Sequence, residues 1–445
     1  MIKFFYMANR QKNAMTRLLA SLLCVLLAPA GFAQLIFLPQ ADPTASLGAG
    51  SPALNNPSLS GTQNSAFGDN VLINNTTGSS NTGVGYKALY SATSGSANAA
   101  FGVAALGSLT TGGGNMAIGS FSLSTCTTCN NNVAVGSSAL VANTGDSNVA
   151  VGYGAMANSS NGVLNVAIGA DALLQQTTGT YNTAVGGLAL ENTTTGFQNT
   201  AIGLDALQAN TTGAGNTAVG ALALLHATTA NNETALGFNA LTASNGLRNT
   251  AVGYLALENN TTGIDSVAVG AAALPSNTTG MDNVGVGVNA LLTVSTGGFN
   301  TGLGDDACYL ASGSFNLCLG YNSGFNGSFS SPTGLTTGES NILIGANQNI
   351  TTGSSNIVIG QSLTKTSASG SSQIDIGDAV LGIVGQGLQL ASYTVATLPP
   401  CNPAAQGLLV YVTDSVAPPV YNGPPTGGGS LALPVFCNGS SWTNH

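Results

Sequence analysis

Asn199-Thr200-Ala201-Ile202-Gly203 decides the fold, because near-copies of it recur along the chain. Asn216-Thr217-Ala218-Val219-Gly220 and Asn249-Thr250-Ala251-Val252-Gly253 are two of them, and 19 such starts run from Asn64 to Gln373. The step between starts is 17 residues, apart from four of 15 or 16 and one of 25. A period this short, held over this length, belongs to a solenoid in which each repeat forms one coil. It overrules the expectation of about three domains that 445 residues would otherwise carry.

Numbering each coil from its leading residue gives every position a role. In the coil from Asn182 the opening pentad is Asn182, Thr183, Ala184, Val185 and Gly186, and position nine is Leu190. Position four is Val, Ile, Leu or Phe in all 19 coils. Side chains alternate along a strand, so positions two and four share a face. That face is assigned to the core, with Val185 and Ile202 as core contacts. Position three, Ala or Gly in 15 coils, then lies on a second, crowded face. Glycine at position five (Gly186, Gly203) is present in every coil and is read as a corner. Leucine at position nine (Leu190, Leu207) supplies a second apolar contact on the return segment. The Thr-Thr-Gly loops are turn chemistry. Position one is Asn in 16 coils, and Asn182 and Asn199 are expected to be rungs of an amide ladder running from coil to coil.

Stacked at roughly 4.8 Å per coil, 19 coils predict a rod of about 90 Å. Each coil encloses few apolar side chains, so oligomerisation is expected to bury more surface and to protect the sheet edges.

Residues 1–33 read as a secretory signal. Lys3, Arg10, Lys12 and Arg17 precede the apolar run Leu18 to Leu27, and Gly31-Phe32-Ala33 offers small residues for cleavage before Gln34. Removal leaves three basic residues against 16 acidic ones, a net charge of 3 − 16 = −13. Such a chain is repelled by nucleic acid and by anionic membranes. No later stretch is apolar enough for a transmembrane helix, so the mature chain is expected outside the cytoplasm.

The repeats resemble the head domain of trimeric autotransporter adhesins, the YadA-like left-handed parallel β-roll. Asn148-Val149-Ala150-Val151-Gly152, Asn165-Val166-Ala167-Ile168-Gly169 and Ser266-Val267-Ala268-Val269-Gly270 carry the resemblance. It covers about residues 64–380 and implies an all-β parallel β-solenoid and a homotrimer. The family's membrane-anchor barrel and heptad stalk have no counterpart here. Membrane anchoring is therefore not carried over. The expected organisation is a signal at 1–33, a linker or first coil at 34–63, the β-roll at 64–380 and a small C-terminal β module at 381–445.

The pattern breaks in two places. The coil from Asn316 is 25 residues long, with Phe325, Phe329, Pro332 and Gly334 in or near the extra length, and is read as a surface loop. Beyond about Gly385 prolines accumulate and the repeat ends. Cys401 and Cys437 are one candidate disulfide in that tail. Cys126 and Cys129 are another, within a coil loop, because no second pair or nearby His makes them a zinc site. Cys308 at position nine and Cys318 at position three are read as small core residues in preference to a bridge between coils.

Chemistry is sparse. The two histidines, His226 and His445, have no partners in sequence, and the adjacent Asp305 and Asp306 make a poor acid and base pair. No catalytic, cofactor or metal residues are assigned. The sequence reads as a secreted or cell-surface, fibrous, adhesin-like structural or interaction protein, with an unidentified extracellular surface or matrix as ligand. A phage-derived, tail-fibre-like receptor-binding spike is the alternative. Ice binding through threonine rows is a third reading, and requires a flat, exposed threonine face.

Overall fold

Each of the 19 pentads supplies one short strand, from Ser65–Phe67 to Gln373–Ile376, and Leu47–Ala49 adds a further strand ahead of them. This is seen in a computed structural model. It describes residues 47–50, 52–325, 334–348, 350–361 and 369–377, and in the tail 380–383, 387–390, 392–393, 395–402, 409–415, 424, 431–437 and 440–444. The signal, the residues Phe329 and Pro332 of the long loop, Lys365 and His445 lie outside the described residues. Among the described residues there is no α-helix. The protein is an all-β parallel β-solenoid with a small C-terminal sheet.

The chain divides into two compact units, Met1–Phe197 and Gln198–His445. In the first, strands from Leu47–Ala49 to Thr183–Val185 pair in parallel, each onto the next and position for position. In the second, the same pairing runs from Thr200–Ile202 to Gln373–Ile376. There the sheet turns antiparallel through Val380–Ile383 and Gly387–Leu390. A separate four-stranded sheet follows, made by Ser392–Tyr393, Leu409–Ser415, Leu431–Cys437 and Trp442–Asn444. Its core is Val410, Val412, Val435, Cys437 and Trp442. Trp442 Nε1 donates to Pro399 O at 2.8 Å, which ties the last strand to the start of the module.

Seventeen residues close a coil only with sharp turns. Position five turns at glycine with φ between +119° and +146° in the coils from Asn64 to Asn356. A Cβ on Gly203 would stand 2.5 Å from Gly220 O, so the close approach of successive coils excludes any side chain. Position nine also turns left-handed, and there the residue is usually leucine, as at Leu190 (φ 53°) and Leu207 (φ 52°). A bulky residue in that region is strained. Both leucines are fully buried, and that burial offsets the strain.

The faces of the strand are the reverse of the sequence reading. Position three points inward: Ala184 and Ala201 are fully buried. Positions two and four point outward, and Ile202 is 41% exposed. Val185 is half-buried on the same outward side, so neither it nor Ile202 is a core contact. The reason is space. A Cβ on Gly302 at position three would lie 3.0 Å from Leu291 Cγ, the leucine at position nine of the coil before. The interior takes that leucine and a small residue opposite it, and nothing larger, which drives Val and Ile to the outside. In the coil from Asn199 the interior is Asn199, Ala201, Ala206, Leu207 and Asn210.

Candidate interaction surface

The asparagine column is structural, as expected, and lies wholly inside. Asn81 donates its main-chain N–H to Asn64 Oδ1 at 3.0 Å and its Nδ2 to the same oxygen at 3.1 Å. Its Nδ2 also donates to Gly95 O at 2.8 Å in its own coil. One amide thus satisfies a main-chain donor, a side-chain acceptor and an orphan carbonyl. Asn98 and Asn115 repeat the pattern in the first unit. Asn300, Asn316, Asn341 and Asn356 repeat it in the second. Asn182 and Asn199 are fully buried rungs that donate to Gly196 O and Gly213 O, so no ligand reaches them.

The six described cysteines all pair. Cys126–Cys129 and Cys401–Cys437 form the two expected disulfides. Cys308 and Cys318 also form one, with Cα atoms 5.6 Å apart. The reading of these two as unbridged core residues is therefore corrected. Position nine of one coil faces position three of the next, and this bridge stands where Leu291 meets Gly302 one coil earlier. The long loop departs from expectation at its root: Phe325 is buried and packs on Tyr309, with ring centroids 4.7 Å apart.

What the coils offer to a partner is the outward side of the strands. Side chains at positions two, four and six and at the end of each coil stand there in columns, one residue per coil. In the first unit this side carries Phe101, Ile118, Tyr153, Leu164, Ile168 and Tyr181, all exposed. In the second it carries Ile202, Leu236, Tyr254, Val286, Leu319 and Tyr321, also exposed. Neighbouring coils stack their rings, as Phe238 does on Tyr254 and Phe299 on Phe315, the latter at 4.9 Å and 1°. No pentad has a charged residue at position two or four. Charges on this side are confined to its rims, where Arg248 and Asp265 form a two-pronged ion pair at 2.6 and 2.7 Å. Hydrogen bonding to Arg248 holds the Asp265 carboxyl below its ordinary range.

The Thr-Thr-Gly loops form a second row. Its first threonine donates its hydroxyl to the carbonyl of the equivalent threonine in the next coil, as Thr76 does to Thr93 at 2.9 Å and Thr261 to Thr278 at 2.9 Å. Those hydroxyls are committed to the stack. The loop glycine is more than a turn residue, because a Cβ on Gly78 would collide with Gly95 O.

Among the described residues, no group of three or more His, Cys, Asp or Glu side chains is placed to hold a metal ion. No described helix is long and apolar enough to cross a membrane. Fold and surface together define a β-solenoid repeat protein whose outward sheet face is uncharged and carries threonine beside Val, Ile and Leu. No protein-family model, curated protein or solved structure matches the chain.

Proposed function

We propose that this protein is a secreted or cell-surface, fibrous, adhesin-like structural protein, without catalysis, that works as a homotrimer packed through its outward strand faces. The observation that supports this reading is the set of exposed apolar side chains on the outward strand side of both units, where positions two and four carry no charge. Its occupant is a further copy of the same chain. The face presents one side chain per coil, and another copy carries columns at the same spacing, so coil-to-coil registry extends along the contact. The absence of charge at positions two and four lets strongly acidic chains meet there without repulsion. The subunit number of three rests on the resemblance to trimeric adhesin heads. Three disulfides fit an oxidising, extracytoplasmic setting.

Sedimentation and cross-linking of the exported chain, with electron microscopy of the particles, test the reading. Elongated trimers are expected, and a globular monomer would overturn it. Fractionation into cell, membrane and medium tests the location.

A further inference from the structure

One rung of the amide ladder is a carboxyl. Glu233 takes position one of its coil and is fully buried. Its main-chain N–H donates to Asn216 Oδ1 at 3.0 Å, as an asparagine would. Its Oε1 accepts from Asn249 Nδ2 at 2.9 Å, and its Oε2 has no hydrogen-bond partner. An asparagine rung would donate at this point to its own loop carbonyl, as Asn216 does to Ala230 O. An ionised carboxylate has no proton to donate. Among the described residues no cation compensates it. Arg248, the basic residue of the same coil, is at the surface and bound to Asp265. His226 is exposed on the preceding coil, and neither it nor Glu258 of the following coil acts on Glu233.

We propose that Glu233 is a proton-controlled rung: with its carboxyl neutral the coil is seated on its neighbours, and ionisation opens that coil locally. Burial pushes the Glu233 carboxyl up to about 7, against smaller lowering by Asn249 and by the nearby Ser244. The Ser244 hydroxyl makes no hydrogen bond to Oε2. In an opened coil the carboxyl titrates at its ordinary 4.5. Between these values the closed coil holds a proton that the opened coil has released. Closure is therefore strongest below about pH 4.5 and weakens as pH rises towards 7, after which the loss is complete. An isolated ionised carboxylate in such an interior is costly, and the cost falls on one coil. The inference is independent of the trimer.

Hydrogen exchange of the full chain, followed by mass spectrometry at pH 5 and pH 8 and corrected for intrinsic rates, tests it. Peptides covering 216–250 should show an opening equilibrium roughly 70-fold higher at pH 8, while peptides covering 98–135 stay level. Glu233→Gln and Glu233→Asn should both abolish the rise. Infrared spectra at pH 5 should contain a buried neutral-carboxyl band that both variants lack. A level wild type, or a rise that persists in whichever variant folds, would overturn the proposal.

Discussion

Asn199 Oδ1 accepts both the main-chain N–H and the Nδ2 of Asn216, each at 3.0 Å. The other interior side chains of this coil are Ala201, Ala206, Leu207 and Asn210, and Asn210 donates its own Nδ2 to Gly213 O. Asn216 passes the pattern on, with Oδ1 accepting from Glu233 N–H and Nδ2 donating to Ala230 O at 2.7 Å. Asn216→Ala strands the Glu233 N–H donor and the Ala230 O acceptor in the interior, and removes one of the two hydrogen bonds to Asn199 Oδ1. A loss of about 2–4 kcal/mol is expected, measured as a shift in the chemical-denaturation midpoint. A loss below about 0.5 kcal/mol would mean the ladder is ornamental.

Gly203 and Leu207 hold two of the positive-φ positions of one coil, and they should fail for different reasons. Gly203→Ala meets both an unfavourable φ of +141° and the carbonyl of Gly220. Leu207→Ala keeps the Cβ at the same positive φ and opens a cavity, which costs about 2–5 kcal/mol. Both variants should unfold at lower denaturant. Restoring bulk with Leu207→Met should recover most of the second loss, to within about 1.5 kcal/mol. No larger residue should rescue the first.

The three disulfides should reduce in a defined order. Cys308, Cys318, Cys126 and Cys437 are at most 1% exposed, and only Cys401 is half-buried. Under native conditions Cys401–Cys437 should therefore react first with a thiol reductant, read by alkylation and mass spectrometry. Cys401→Ser with Cys437→Ser opens a loop with a sequence separation of 36. About 4 kcal/mol is expected to be lost from the C-terminal sheet, and the coils should be unaffected. Simultaneous reduction of all three bridges would contradict the burial pattern.

One misreading explains most of what the sequence hid. Period, glycine corner, asparagine ladder and position-nine leucine were legible because each repeats at least 13 times in one chemistry. Which face of a three-residue strand turns inward was not, since Val and Ile at positions two and four argue for burial as strongly as Ala at position three. Volume decides it. An interior filled by Leu291 leaves room for Gly302 and not for a valine. The same inversion concealed the candidate surface, whose position-two and position-four residues the pattern assigns to the core. The Cys308–Cys318 bridge was hidden for another reason: both cysteines read as small core residues, and only the contact between position nine of one coil and position three of the next brings their sulfurs together. The weak rung at Glu233 was visible only as a break in a row of asparagines. Its burial and its unpartnered oxygen come from the coils above and below it.

Ala201 and Ile202 are sequence neighbours on opposite faces, and exchanging their tolerances separates folding from assembly. Ala201→Leu forces a large side chain into a filled interior, where overpacking costs about 1–3 kcal/mol or more; the coil should loosen whether or not subunits associate. Ile202→Lys places a charge on the exposed face, where the isolated coil meets only water. Far-ultraviolet circular dichroism and hydrogen exchange within the coil should stay close to wild type. Sedimentation should shift towards monomer, more strongly when Ile168→Lys is added, because one buried charge per unit must then be desolvated at the contact. If Ile202→Lys with Ile168→Lys leaves the oligomer intact, the outward strand face is not where the chains meet.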